Sequence, residues 1–273
     1  MGLFVGVALD DDISGADGPN SAIARSLVID YLDQEHLFKI VDTHIFAKSS
    51  VKMPLLREIY EDLRRQMPGF RWSEQRFASL YPMHPATLEV APLIRLYLQE
   101  FALLGFAAEA GVRILGRPAN SLIGLDEMFD SVEAKLRAVD ELRETFSRFE
   151  RVEQQVISKA AVATRLHAKL ILKGLFLLSL DGQGASAEDI AAAMMIYGDA
   201  GPKIDVAGVL ESFAAGVPDA VYCTDGKYRL GVNSDSAAAT ASGLDAAAAL
   251  VTDETVWNVL LRQTGEKFSD VEF

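Results

Sequence analysis

Apolar side chains recur every three or four residues along most of this chain, which is the spacing of one face of an α-helix. The pattern is clearest between Trp72 and Ser121, where one apolar stripe runs from Leu88 to Leu115 with Pro92 inside it. A proline inside a helical pattern removes a backbone hydrogen bond and predicts a kink. The pattern predicts further helices over 20–48, 54–66, 73–80, 125–149 as one helix or two, 165–180, 187–198 and 206–217. Ser73, Thr87 and Ser186 are expected to cap the helices that follow them.

Two β-prone runs close to residue 232 have a different pattern. Residues 220–223 and 228–232 flank the dipeptide Asp225-Gly226, which is a strong signal for a β-hairpin turn. Three helical segments followed by a hairpin predict a winged-helix domain over 165–232. The fold class expected is therefore mainly α, with a helical bundle followed by a winged-helix domain that carries a small β-hairpin.

The changes of pattern along the chain predict four parts. Residues 1–19 contain a strand and an acidic loop, residues 20–164 a helical domain, and residues 165–232 the winged helix. Residues 233–273 begin with a linker of small residues, which leads into a further, truncated element. A buried strand needs sheet neighbours, so we interpret residues 1–19 as the end of an α/β core that the chain lacks. On this interpretation the chain is a piece of a longer protein.

The composition restricts the classes of function. The formal net charge is -13, and an acidic chain repels the phosphate backbone of nucleic acids. Cys223 is the single cysteine, so no intramolecular disulfide can form, which favours a reducing, cytoplasmic location. We expect Cys223 to be a small buried strand residue. No apolar run approaches the roughly 20 residues of a membrane-spanning helix, so no membrane segment is expected.

Motifs that carry catalytic chemistry do not occur in the sequence. It has no phosphate-binding loop, no dinucleotide-binding glycine pattern, no nucleophile elbow and no cysteine–histidine spacing typical of zinc. We therefore assign no catalytic residue, no metal and no cofactor to this chain, and whether it is an enzyme stays open.

The segment Tyr81-Pro82-Met83-His84-Pro85, followed by Thr87-Leu88-Glu89, resembles the [FY]-P-x-H-P segment of certain large bacterial P-loop ATPases. These proteins are AAA+-like and include members of phage-defence (BREX-type) systems. The resemblance covers roughly residues 20–232. It implies that the helical bundle is a lid that follows a nucleotide-binding core, and that a winged helix comes next. ATP and magnesium would then belong to a parent ATPase, because this chain lacks the phosphate-binding loop and the acidic strand.

The resemblance also gives candidate site residues. An arginine in such lids often reaches the γ-phosphate, and Arg113 and Arg117 are the candidates beside the turn at residues 116–118. The alternative is that both arginines are structural and hold that turn against helix carboxylates. Tyr81, His84 and Asn120 are candidates for a functional turn, and His84 can also be a turn residue that hydrogen-bonds the backbone. The two turns are expected to meet, with the arginines exposed and unpartnered.

Two functions remain in competition. The first is a non-catalytic lid and winged-helix module that contacts an upstream ATPase core or a partner protein. The second is a winged-helix regulator that binds nucleic acid. The expected recognition helix, from Asp205 to Gly216, contains no Lys or Arg, and the wing offers only Lys227 and Arg229. Because groove-reading helices need donors and cations, protein contact is favoured. The oligomeric state stays open.

Overall fold

The computed structural model describes residues 39–197 and 204–231. These residues form a mainly helical structure with a small three-stranded antiparallel sheet. The strand predicted at 2–9, most of the helix predicted over 20–48, and the linker and further element predicted after residue 232 lie outside the described residues. The α-helices are Met53–Gln66 (α1), Glu74–Leu80 (α2), Ala86–Arg95 (α3), Leu103–Arg113 (α4), Leu125–Leu136 (α5), Arg143–Gln155 (α6), Val162–Leu178 (α7), Ala187–Ala193 (α8) and Val206–Gly216 (α9).

Short helical segments of other types connect these helices. Of the segment predicted as a helix over 20–48, the described part forms a π-helical turn over 41–45 and is not helical over 46–48. Segments of 3-10 helix lie at Ser50–Lys52, Asp140–Leu142 and Ile157–Lys159. The segment predicted over 125–149 as one helix or two is two helices, α5 and α6. Among the described helices, none is both long enough and apolar enough to cross a membrane.

Helix starts follow the capping residues in three cases. Ser73, Ser186 and Asp205 each accept a hydrogen bond from a backbone N–H in the first turn of α2, α8 and α9, as side-chain oxygens at this position commonly do. The cap expected from Thr87 is wrong. Helix α3 already begins at Ala86, because the ring of His84 accepts the first backbone N–H at 3.1 Å.

The long apolar stripe from Leu88 to Leu115 is two helices and not one kinked helix. Pro92 lies inside α3, which ends at Arg95, three residues later. An extended residue, Ala102, then precedes α4. Proline has no N–H to donate to the preceding turn of the helix. The chain changes direction between Arg95 and Leu103. The side chains of Leu98 and Phe101 are buried in this interval.

The sheet has the order β1-β3-β2 and is antiparallel throughout. Strands Val221–Thr224 (β2) and Lys227–Leu230 (β3) form the predicted hairpin, in the register that pairs Val221 with Leu230. The turn places Asp225 and Gly226 at positive φ, as a two-residue hairpin turn requires. The third strand, Ala185–Ser186 (β1), was not predicted. Cys223 is exposed, contrary to expectation, because β2 lies at the edge of the sheet.

One apolar core runs through the whole described structure. Four phenylalanines join α5, α6 and α7, with the rings of Phe146 and Phe176 4.6 Å apart. The core continues into α8, α9 and the sheet, so it crosses the domain boundary predicted at 164/165, which falls in the first turn of α7. At Gly69 the backbone approaches α8 so closely that an added Cβ would clash with the Glu188 carbonyl oxygen.

Ser179 attaches the sheet to α7 and gives a test of this packing. Its buried hydroxyl donates to the Leu175 carbonyl at 2.6 Å and accepts the Leu230 N–H at 3.0 Å. Ser179→Ala leaves a buried N–H without a partner, so we expect the free energy of unfolding to fall by about 1–3 kcal/mol. Denaturant unfolding measures the change. The exposed Ser212, which also bonds a carbonyl one turn back at 2.8 Å, is the matched control. If Ser179→Ala and Ser212→Ala lower the free energy of unfolding by the same small amount, Ser179 does not attach the sheet to α7.

Candidate functional site

The Tyr81–Pro85 turn lies inside the structure, between α2 and α3. Its backbone pairs with Ile123 in a parallel bridge, in which the Ile123 N–H donates to Pro82 and the His84 N–H donates to Ile123, each at 2.9 Å. The peptide bond between Tyr81 and Pro82 is cis. The turn therefore connects the start of α3 to the start of α5.

The two turns singled out by the sequence meet, as expected. The Tyr81 hydroxyl donates to the carbonyl of Ala119 at 2.8 Å. The Tyr81 ring is half-buried, and this burial raises the pKa of its phenol, which keeps the donor protonated. Asn120 lies next to this contact and is exposed. The contact brings the 113–120 segment over the Tyr81–Pro85 turn.

His84 is fully buried and does not reach the surface. Its Nδ1 accepts the Ala86 N–H, as the interpretation of a backbone-bonded turn residue anticipates. The ring packs edge-on against Trp72, with the centroids 4.8 Å apart. Nε2 has no partner of hydrogen-bond geometry in the described structure, although the nearby Ala192 backbone favours a proton there. Burial is the larger effect and lowers the pKa of His84 to about 3.

Arg113 and Arg117 both face one carboxylate, and the expectation that they are unpartnered is wrong. An Arg117 guanidinium nitrogen lies 2.6 Å from a Glu127 oxygen, and Arg113 Nε lies 3.7 Å from the other oxygen. Glu127 is in the first turn of α5, where the helix dipole favours a negative charge. The Glu127 side chain is 17% exposed, against 46% and 41% for the two arginines.

This arrangement has a definite electrostatic character. Two guanidinium groups share one carboxylate, so the cluster keeps one net positive charge. Each guanidinium has five N–H donors, and both arginines remain accessible to solvent. The cluster can therefore accept a further anionic group from outside, such as a phosphate oxygen. The same contacts also fit the structural alternative, in which the arginines hold the turn.

A second polar cluster was not anticipated by the sequence. The Trp72 indole N–H donates to Glu89 at 2.8 Å, and Arg71 reaches Glu89 at 2.9 Å and Asp189 at 3.1 Å. Arg71 thereby joins α3 to α8, and Asp189 lies 118 residues from Arg71 in the sequence. A cleft of about 390 Å³ opens beside these side chains. Local patterns carry no signal for a pair so far apart in sequence.

The two nucleic-acid candidates lie on β3. Lys227 is exposed, and Arg229 is partly buried, with its guanidinium carbon 5.8 Å from the centre of the Tyr222 ring. Helix α9 presents Glu211, Ser212 and Ala215 to solvent. Its C-terminal end packs on the end of α6, since an added Cβ at Gly216 would lie 2.5 Å from Val156, the residue that follows α6.

Comparison of the chain with protein-family models, with curated proteins and with solved structures gives no match. The chemistry of the described residues is therefore the basis for assigning a function.

His84 gives a test that depends on pH. Its pKa is lower in the folded state than in the unfolded state, so between pH 6.5 and about pH 3 the unfolded chain binds more protons. Stability must then fall as the pH falls through this range. At pH 5 the loss relative to pH 7.5 should be about 2 kcal/mol.

The matched variant is His84→Asn, which keeps an acceptor for the Ala86 N–H and removes the titrating group. Denaturant unfolding at both pH values measures the difference. We expect the variant to lose about 2 kcal/mol less than the natural sequence on acidification. An identical loss in the two proteins would show that His84 is not held neutral by burial.

Proposed function

We propose that this chain is a non-catalytic module of a larger P-loop ATPase, in which a helical lid is followed by a winged-helix domain and both act through contact with protein. The resemblance of the Tyr81–Pro85 segment to the phage-defence ATPases motivates the proposal. The order of elements after residue 160 supports it. Three helices, α7, α8 and α9, precede the β2–β3 hairpin, and β1 between α7 and α8 adds to the second hairpin strand. This order of elements supports the winged-helix interpretation.

The surface of α9 is the observation that carries the choice of a protein partner. In the proposed winged helix, α9 would take the place of the recognition helix, and it contains no Lys or Arg. Its exposed positions are acidic or small. Helix α6 packs against the C-terminal end of α9, and Arg151 of α6 forms an ion pair at 2.5 Å with Asp219 in the turn that follows α9. The hydrogen bond from Arg151 lowers the pKa of Asp219, so this carboxylate stays charged. A DNA phosphate would meet repulsion on this face.

The arginine cluster would provide the contact with the ATPase core. In the proposal, Arg113 and Arg117 approach the transferred phosphate of a nucleotide held by that core. Their charge stabilises the phosphoryl group as its bond to the leaving oxygen breaks. Glu127 holds the guanidinium groups in place beforehand, which lowers the entropic cost of ordering two long side chains.

The test begins with the natural protein. An antibody raised against this chain should isolate, from the source cells, either a longer polypeptide or a stable complex that hydrolyses ATP. In that ATPase, Arg117→Ala should lower turnover roughly ten-fold or more, because positive charge near the transferred phosphate is lost. The same change should cost this chain less than about 1 kcal/mol of stability, since exposed ion pairs contribute little. Arg143→Ala, which breaks the exposed pair with Asp140, is the control.

Three outcomes would contradict the proposal. The isolated material could show no ATPase activity. Arg117→Ala could lower the melting temperature by several degrees while turnover per folded molecule stays the same, which would make the arginine structural. Finally, the chain could bind a DNA duplex selectively and with nanomolar affinity at physiological salt. The nucleic-acid regulator would then be the better assignment.

A further inference from the structure

The outer face of α4 is apolar and has no covering element in the described structure. Gly105, Ala108 and Val112 lie along it, and Leu115 continues the same line in the turn that follows. Val112 is 70% exposed and Leu115 77% exposed. The opposite face of the helix, with Phe106, Ala107 and Ala110, is buried in the core. Large apolar side chains aligned on one exposed helix face are typical of an interaction surface.

We propose that this face of α4 binds the same face of a second copy of the chain. The two helices would run antiparallel around a two-fold axis level with residue 110. Small residues occupy one half of the face and large residues the other half. The axis therefore places Leu115 over Gly105 of the partner subunit and Val112 over Ala108 of the partner subunit. An added Cβ at Gly105 would meet only the Ala102 side chain, at 3.8 Å, so the space above Gly105 is open to a partner.

The charges beside this face are also complementary to a second copy. Glu109 and Arg113 are four residues apart, so they lie on the same edge of α4. A two-fold axis perpendicular to the helices keeps this edge on the same side in both copies. Each Glu109 then lies beside Arg113 of the partner subunit. In the described part of the chain Glu109 has no ion-pair partner, and Arg113 has only the long contact of 3.7 Å to Glu127.

Self-association goes beyond the proposed function and does not depend on it, although both proposals use Arg113. The association is measured without a nucleotide or an ATPase core, so either proposal can fail while the other holds. A single pair of helices buries less than the roughly 1,200 Å² of a standard stable interface. We therefore expect a weak dimer that forms reversibly as the concentration is raised into the range of tens to hundreds of micromolar.

Sedimentation equilibrium of the full chain tests the surface. The apparent mass should rise from the 29.7 kDa of one chain towards twice that value as the concentration increases. Val112→Asp with Leu115→Asp should abolish this rise. Val162→Asp with Leu166→Asp is the matched control, because those side chains are 81% and 65% exposed at the start of α7, and it should leave the rise unchanged. A natural chain that stays monomeric at every concentration would overturn the proposal. So would a dimer that the control at Val162 and Leu166 loses while the variant at Val112 and Leu115 keeps it.

Charge exchange tests the partner and its orientation. Glu109→Lys alone places two cations together at the contact, and Arg113→Glu alone places two anions together, so each variant should associate at least ten-fold more weakly. An equimolar mixture restores opposite charges at both contacts, and its apparent mass should return to that of the natural sequence. A mixture that stays monomeric while the natural chain dimerises would exclude the antiparallel contact. Circular dichroism confirms that each variant is folded.

Discussion

A turn that is buried in an apolar core has to find partners for its backbone polar groups, and this constraint governs the segment from Tyr81 to Pro85. The backbone of Ile123 forms hydrogen bonds with the Pro82 carbonyl and the His84 N–H. The Thr87 hydroxyl donates to the His84 carbonyl at 2.7 Å. The His84 ring in turn accepts the first backbone N–H of α3. These bonds hold the starts of α3 and α5 side by side. As a result, the turn over 113–120 contacts Tyr81, and Arg113 and Arg117 contact Glu127.

The features that the sequence predicts well are the local ones. Helix periodicity, the caps at Ser73 and Ser186, and the Asp225-Gly226 hairpin each depend on neighbours within a few residues, and each is present. The features that it misses depend on distant partners. Strand β1 exists because Ala185 pairs with Tyr228, and the break before α4 exists because the chain must bury Leu98 and Phe101. A local sequence pattern shows neither the strand that pairs with β1 nor the core that buries Leu98 and Phe101.

The candidate site also combines local features, which the sequence predicts, with contacts between distant residues, which it does not. The two unusual turns could be recognised from their prolines and glycine, and they do meet. What surrounds them could not be recognised, because Glu127 is one of many helix carboxylates and Asp189 lies 118 residues from Arg71. The arginines were expected to be free, yet each has a carboxylate neighbour. An acidic chain has an excess of carboxylates, so an exposed arginine readily finds one.

The helical bundle and the following helices and sheet share one core, with His84 and Trp72 at their junction. A chain with Trp257→Phe, in which Trp72 is the only tryptophan, tests this shared core directly. Thermal unfolding is followed by tryptophan fluorescence, which reports the junction, and by far-ultraviolet circular dichroism, which reports all helices. A shared core predicts coincident transitions with one midpoint. A fluorescence transition several degrees below the loss of helix would show that the junction opens by itself, and it would contradict the claim.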